Sequence, residues 1–328
     1  MNRRARLFAL VVLSSGLHGF NLFPLPVQAQ TYPAKPVKFI VGFPPGGSGD
    51  AVTRLMADEM SKQLGVQVLA DNRPGAGATI ASDIVAKSPA DGYTVLIATN
   101  HAVNKALYKR LPFDPDKDFA AVTGLATGPQ IICVHLDLPV KSLKDLITYA
   151  KANPGKLFAA SSGNGSGPHM STAQFEAAAG AKFTTVQFKG GGPAALSLMA
   201  GETQVMFATA PTVMGFIQGG RMRALAVTTR RASPAVPGLP GAEEAGVSGY
   251  DSFFSYGMYV PTGTPMAVIR RLHAEAVKVL STPDMRKRLA AQGMDPTPSA
   301  SPEAFDAQVR AEAPILERVI RLSGAQLE

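Results

Sequence analysis

Residues 37–64 read VKFIVGFPPGGSGDAVTRLMADEMSKQL, and this stretch decides the fold. Residues 37–43 are mostly apolar, which is typical of a strand buried on both faces. A glycine-rich turn follows at 46–49, and the apolar residues of 55–64 then recur at helical spacing. The stretch therefore predicts a buried strand, a tight turn and an amphipathic helix, the first unit of an α/β sheet.

The same alternation continues beyond this unit. The pattern predicts a strand at 66–70, a turn at 72–77 (NRPGAG), a helix at 78–87 and a strand at 94–99. Successive strands joined by helices require crossover connections, so we expect a parallel sheet with helices on both faces.

A second block repeats this pattern. Its strands are predicted at 130–135, 156–161, 184–188, 204–209 and 224–229, with helices at 142–153, 168–179 and 193–200. Three later helices, at 265–280, 283–292 and 302–322, have no sheet of their own and are expected to return to the first block. The predicted organisation is therefore a discontinuous lobe, 30–125 with 254–328, around a continuous lobe, 126–253.

The N-terminus has the order of a secretory signal. Three arginines within residues 1–6 precede an apolar run at 7–13, and small residues at Val27 and Ala29 predict cleavage after Ala29. The apolar run is far shorter than the ~20 residues that span a bilayer. We therefore expect residues 1–29 to be removed and the mature protein to be periplasmic in a cell with two membranes.

Composition excludes several classes of protein. Of 328 residues, 46% are hydrophobic and 17% charged, which excludes wholesale disorder and coiled coil. The net charge of +8 falls to +5 without the signal and is not gathered into a basic stripe, so no nucleic-acid partner is expected. The single cysteine, Cys133, lies in an apolar run and permits no internal disulfide or multi-cysteine metal cluster.

Glycine-rich turns recur where predicted strands end. They are FPPGGSGD at 43–50, SSGNGSG at 161–167 and KGGG at 189–192. In open α/β sheets ligands bind outside the carboxyl ends of strands, where helix N-termini favour anions. Tight turns also require glycine for structural reasons alone, but three on one rim favour a site for a carboxylate, with the hydroxyls of Ser162 and Ser166 as further donors.

Known catalytic signatures are interrupted in this sequence. None of the turns has the glycine-lysine pair followed by serine or threonine that marks a phosphate-binding loop. Pro168 stands where a dinucleotide-binding fingerprint has its last glycine, and Asp50 stands where a nucleophile elbow has its last glycine. His101 and His169 have no neighbouring ligands at metal-binding spacing. The sequence thus predicts no catalytic residue, no metal and no cofactor.

Further motifs extend along most of the chain: ADGYT at 90–94, LYKRLPFD at 107–114, YAKANPGKL at 149–157, FKGGGPA at 188–194, RALAVT at 223–228 and VPTGTP at 260–265. Together with the turns at 43–50 and 72–77, this ordered set resembles the extracytoplasmic solute receptors of tripartite tricarboxylate transporters, also called Bug receptors. The resemblance covers residues 33–325.

The resemblance implies a two-lobed periplasmic binding protein fold of the venus flytrap, type II-like class, each lobe a mostly parallel sheet flanked by helices. It implies a monomeric receptor that is not an enzyme, binds a small carboxylate between its lobes and delivers it to the membrane permease subunits of a tripartite transporter.

The resemblance also implies the ligand-binding residues. In the first lobe these are Phe43, Gly46, Gly47, Ser48 and Asp50, with Asn100 and His101 beside them. In the second lobe they are Ser162, Gly165, Ser166 and His169, with Lys189, Gly190 and Thr209 at the rim.

Two positions depart from the family pattern. Ser255 stands where the family usually has tryptophan, and Gln204 where it usually has aspartate, a loss that disfavours an amino-acid ligand. The aromatic stretch that includes Phe254 and Tyr256 either narrows the cleft or packs the hinge.

Two alternative functions remain open from the sequence. The closed receptor could signal to a membrane sensor kinase, since sensing and transport need the same closure. A secreted hydrolase would use Ser48 or Ser166 with His169, and it would turn its substrate over.

Overall fold

A long mixed sheet with helices packed around it forms the scaffold. The computed structural model describes residues 32–99 and 102–323, so the predicted signal, residues 1–29, lies outside the described residues. In the described part of the chain the strands are β1 (Val37–Val41), β2 (Val68–Asn72), β3 (Thr94–Ala98), β4 (Phe119–Val134), β5 (Phe158–Ser161), β6 (Thr184–Gln187), β7 (Val205–Thr209), β8 (Arg223–Val227), β9 (Phe253–Pro261) and β10 (Asp295–Pro296). The helices are α1 (Ser48–Leu64), α2 (Thr79–Ala86), α3 (Ala102–Leu107), α4 (Leu143–Ala152), α5 (Gly167–Ala179), α6 (Gly191–Met199), α7 (Ala210–Gln218), α8 (Met266–Leu280), α9 (Pro283–Ala290) and α10 (Pro302–Ser323).

The first half of the sheet confirms the predicted opening unit. Strand β1 pairs in parallel with β2 on one side and with β3 on the other. Phe39 of β1 is fully buried, as are Val52, Met56 and Met60 on one face of α1. Burying such side chains contributes roughly 1.5–3 kcal/mol each, so this helix face fixes α1 on the sheet.

The second half repeats the arrangement. Strand β5 pairs in parallel with β6 and β7, and β7 and β8 both pair antiparallel with the end of β4. Its core holds Ile132, Phe175, Phe207 and Tyr250, all buried. Ser142 caps α4, because its hydroxyl accepts from the Asp145 amide in a capping box.

Strands β4 and β9 join the two halves. The first part of β4 pairs antiparallel with β9, from Phe119 opposite Pro261 to Pro129 opposite Phe253. The sequence predicted only the end of β4, because its first part is rich in small residues and lacks clear alternation. The structure explains why one of these small residues is a glycine. A Cβ on Gly124 would lie 2.4 Å from the Thr297 carbonyl oxygen, which is too close for any side chain.

The C-terminal helices return to the first half of the sheet, as predicted. Leu272 of α8 and Leu289 of α9 pack in the same core as α1, and Phe305 of α10 packs beside β3 and β9. Helix α10 also reaches the second half, where Ile320 packs against Met170 of α5.

The bounds of the two lobes stay a prediction, since Tyr32–Glu328 forms one compact unit. Cys133 is buried in the second half, and burial raises the pKa of its thiol. Among the described residues, no helix combines the length and apolar character needed to cross a membrane.

Candidate functional site

Four helices begin at one cavity between the two halves of the sheet. We call it the inner cavity; its volume is about 110 Å³. The N-cap residues of α1, α5, α6 and α7 all line it, and they are Gly47, Ser166, Gly190 and Thr209. The first four amides of a helix lack intrahelical acceptors, so this cavity receives donors from both halves.

The first half contributes the loop between β1 and α1. Phe43, Gly47 and Ser48 line the inner cavity, together with Thr99 just beyond β3. Ser48 is buried, and its Oγ lies 2.9 Å from the phenol oxygen of Tyr256 on β9. Burial raises the pKa of Tyr256 to about 12, so this phenol is neutral and holds the first turn of α1.

Asp50 belongs to the same loop but does not line the inner cavity. Its carboxylate accepts from the amide of Gly46 and from the side chains of Arg54 and Asn72. Burial opposes its charge, yet these hydrogen bonds outweigh burial and hold the pKa of the carboxyl below its usual value. The carboxylate of Asp50 is therefore satisfied by protein donors, and the amide of Gly46 is one of these donors.

The second half contributes the turn between β5 and α5. Ser162 and Ser166 line the inner cavity, and Ser166 caps α5 by accepting from the His169 amide at 3.3 Å. Nδ1 of His169 accepts from the Gly165 amide at 3.1 Å, so this ring is neutral with its proton on Nε2. Burial also lowers the pKa of His169. Gly165 and His169 thus stabilise the turn through their own hydrogen bond and do not line the inner cavity.

The hydrolase alternative conflicts with these contacts. A catalytic base needs a ring nitrogen free to take the serine proton. Nδ1 of His169 is already an acceptor for Gly165, and Ser166 Oγ faces the backbone amide of His169 rather than its ring. Ser48 pairs with the neutral phenol of Tyr256, which is no base at physiological pH.

The loops of the two halves meet at the rim. A Cβ on Gly190 would lie 2.9 Å from Cγ of Pro44, and the φ of Gly190 is +111°, so only glycine fits there without strain. Beyond this contact the cleft widens into an outer cavity of about 920 Å³. Among the described residues, Lys189 is the only charged side chain that lines it.

The predicted site residues thus fall into three groups. Those lining the inner cavity are Phe43, Gly47, Ser48, Ser162, Ser166, Gly190 and Thr209. Lys189 lines the outer cavity, and those behind the loops are Gly46, Asp50, Gly165 and His169. Asn100 and His101 lie outside the described residues.

The sequence missed part of the site. Helix α7 was not predicted, so Thr212, which lines the inner cavity and lies 3.2 Å from the Thr209 hydroxyl, was not considered. Pro211, two residues after the end of strand β7, is the signal that could have revealed this helix start. Phe254 and Tyr256 line the cavity and are also buried in the core that contains α1, so narrowing the cleft and packing the hinge both stay predictions for them.

Neither Gln204 nor Ser255, the two residues that depart from the family pattern, lines the inner cavity. Gln204 precedes β7 at the end away from the cavity, where its side chain bonds the Phe158 amide and the Gly201 carbonyl. The premise that position 204 faces the ligand is therefore wrong, and the expectation about amino-acid ligands stays a prediction that this residue does not support. Ser255 lines a separate small cavity of about 20 Å³ beside α10.

The electrostatics of the inner cavity favour an anion. None of its described lining residues carries a charged side chain, while four helices direct their positive ends at it. Anions at helix N-termini are stabilised by about 0.3–1 kcal/mol per helix at exposed sites and more where water is excluded. Among the described residues, no cluster of side chains could hold a metal ion.

Comparison with known proteins identifies the family of this chain. Residues 52–317 match the family described as the tripartite tricarboxylate transporter family receptor. The chain belongs to this receptor family. It is 33% identical to the protein BugT of Bordetella pertussis over 306 residues, which cover 92% of this chain and 94% of BugT. The predicted resemblance to the Bug receptors is thereby confirmed.

Solved structures carry the same fold. Rpa4515 of R. palustris, solved with adipate, has a TM-score of 0.85 and 34% identity, covering 89% of this chain and 98% of that one. MatC of Rhodopseudomonas palustris, solved with bound malate, has a TM-score of 0.81 and 30% identity, covering 88% of this chain and 100% of that one. The predicted α/β periplasmic binding protein fold is confirmed.

The receptor family defines the function in outline. Its members are periplasmic solute-binding receptors for transport, and the family is not enzymatic. The predictions of a solute-binding receptor and of a non-enzyme are confirmed by this membership.

Proposed function

We propose that this receptor captures a small organic carboxylate in the inner cavity and delivers it to the membrane permease of a tripartite transporter. The observation that carries the proposal is the convergence of four helix N-termini on a cavity whose described lining residues carry no charge. Two relatives solved with adipate and malate support the same ligand class.

Backbone amides suit this task because they are fixed before the ligand arrives. A carboxylate has about four lone-pair sites, and charge-assisted hydrogen bonds contribute roughly 1.5–3 kcal/mol each. Amides at the start of α1 belong to the first half, and those of α5, α6 and α7 to the second. A carboxylate that contacts both sets stabilises the closed arrangement by its differential contacts, which is a population shift.

The proposal also includes export of the receptor to the periplasm. Residues 1–29 act as a signal that is cleaved after Ala29, and the mature receptor works as a monomer in the periplasm. Mass spectrometry of the protein from a periplasmic extract tests the cleavage, since the mature chain should begin at Gln30. A chain that retains residues 1–29 would contradict it.

A thermal-shift screen tests the ligand class. The mature protein is heated with a panel of mono-, di- and tricarboxylates that includes adipate and malate, with sugars and amines as controls. An acid at a hundred times its Kd adds about 2.7 kcal/mol to the free energy of unfolding, which raises the Tm of a chain of this length by roughly 4–5 °C. Shifts with sugars or amines but with no acid would contradict the proposal.

Uptake tests the delivery step. Deleting the receptor gene should abolish uptake of the acid found in the screen, and the gene restored in trans should recover it. Normal uptake with loss of an acid-dependent transcriptional response would instead indicate a sensor.

A further inference from the structure

Three side chains tie the loop between β1 and α1 to its surroundings. Oδ2 of Asp50 accepts from the Gly46 amide at 3.0 Å, and Oδ1 accepts from Nε of Arg54 at 2.9 Å and from Nδ2 of Asn72 at 2.9 Å. Asn72 closes the ring, because its Oδ1 accepts from Arg54 Nη2 at 3.0 Å. We call Asp50, Arg54 and Asn72 the loop brace.

The brace holds the loop at two points. Nδ2 of Asn72 donates to the carbonyl of Phe43 at 3.0 Å, while Asp50 holds the amide of Gly46. Between these points lie Pro44 and Pro45, which line the inner cavity. Both ends of this segment are thus fixed from β2 and α1, and the amides that follow it at the start of α1 are oriented as a consequence.

The brace itself stands behind the binding surface. None of its three residues lines the inner or the outer cavity. The carboxylate of Asp50 would by itself repel an anion bound at the start of α1, and the guanidinium of Arg54 offsets that charge. The two-nitrogen contact of Arg54 with Asp50 and Asn72 also fixes geometry, which a single ammonium cannot do.

We propose that Arg54 and Asn72, acting through Asp50, are positioning residues that keep the loop between β1 and α1 in the shape that binds the carboxylate. The part of this inference that concerns affinity rests on the proposed function. Preorganised donors bind more tightly because ordering the loop then costs nothing on binding.

Four variants separate geometry from charge. Arg54→Gln and Asn72→Ala open the brace, and Arg54→Lys keeps the charge but loses the two-nitrogen contact. Arg73→Gln is the matched control, since Arg73 pairs with Asp71 outside the brace and its side chain is 54% exposed, against 55% for Arg54.

The first readout needs no ligand. Hydrogen exchange of the ligand-free protein is measured for the amides of residues 46–49 and for the last turn of α1. We expect exchange of residues 46–49 to quicken about tenfold in the three brace variants, with the last turn of α1 and Arg73→Gln unchanged. Unchanged exchange in the brace variants would overturn the inference.

The second readout is affinity, measured by calorimetry with adipate, or with malate if adipate gives no heat. We expect binding about tenfold weaker in each brace variant, including Arg54→Lys, and unaltered in Arg73→Gln. If Arg54→Gln and Arg73→Gln lose affinity equally, or if Arg54→Lys binds as tightly as the wild type, charge alone explains the effect and the inference is overturned.

The two readouts distinguish the two proposals. If no organic acid binds the wild-type protein, the proposed function fails, while faster exchange in the brace variants still supports the brace. If the loop loosens but affinity stays unchanged, the brace has no role in binding and the inference is overturned.

Discussion

Ser48 is a residue that serves both the fold and the site. It is the first residue of α1 and lines the inner cavity, while its hydroxyl meets the buried phenol of Tyr256. Its main-chain amide belongs to the unpaired first turn of the helix, so the side chain fixes the position and the backbone supplies the donor. Charged groups such as Asp50 stand one layer behind, where they are fully paired.

At Gly47, a side chain should block the ligand without unfolding the protein. The φ of Gly47 is −95°, which valine adopts, and the nearest atom to its Cβ position is 4.0 Å away. We expect Gly47→Val to abolish acid binding in calorimetry and to leave the circular dichroism spectrum and Tm nearly unchanged. Gly215→Val, on the exposed side of α7 with open space around it, is the control. Retained tight binding in Gly47→Val would remove this loop from the site.

At the outer cavity, Lys189 should distinguish ligands by charge. Since Lys189 lines the outer cavity, we expect a second carboxylate that extends there from the inner cavity to contact this ammonium, and a monocarboxylate not to reach it. We expect Lys189→Gln to weaken the binding of dicarboxylates roughly threefold and to change the binding of monocarboxylates very little, because exposed ion pairs contribute under about 1 kcal/mol. Equal loss for both classes, measured by calorimetry, would contradict this role.

The charge of Asp50 should make its contribution to stability depend on pH. Its pKa lies below the usual 3.8, so the stabilisation is complete at neutral pH and is lost as pH falls through the lowered pKa. We expect Asp50→Asn to lower Tm at neutral pH, with a difference from wild type that vanishes below that pKa. A difference that persists in strong acid would show that charge is not the cause.

The residue scale also limits what the sequence can predict. The turns at 43–50 and 161–167 were recognised, yet Asp50 and His169 lie in or beside them with their side chains turned to internal donors. Arg54 and Gly165 lie four residues from Asp50 and His169, which helical spacing could have indicated. Asn72 contacts Asp50 from strand β2, and spacing along the chain does not reveal that contact.

At the scale of elements, the site is made of helix starts at strand ends. Most helices and strands were predicted within a few residues, because helical periodicity is clear in α1, α4 and α8. Helices α3 and α7, strand β10 and the first part of β4 were missed. Helix α7 follows β7 without a glycine turn, and β4 carries small residues that its neighbours require.

Where α6 begins, Gly190 should control how closely the two loops approach. A methyl group there meets Pro44 and demands a φ of +111°, which side chains rarely adopt. We expect Gly190→Ala to lower acid affinity at least about tenfold and stability by about 1 kcal/mol, measured by calorimetry and denaturant unfolding. Gly215→Ala, which has open space at its Cβ position and lies outside both cavities, is the control; equal effects in both variants would contradict the account.

At the scale of the whole molecule, two strands set how the halves work together. Strand β4 runs from β9 in the first half to β7 and β8 in the second, and β9 pairs alongside its first part. A parallel unit on each side therefore directs its helix starts toward the same gap. This arrangement explains how a cavity whose described lining residues are all uncharged can bind an anion.

The crystal structure of the receptor with a bound acid from the screen tests this account most directly. We predict a carboxylate group in the inner cavity, within hydrogen-bond distance of main-chain amides at the start of α1 and at the start of α5, α6 or α7. An acid lodged elsewhere, or one whose carboxylates are held by lysine and arginine side chains without those amides, would contradict it.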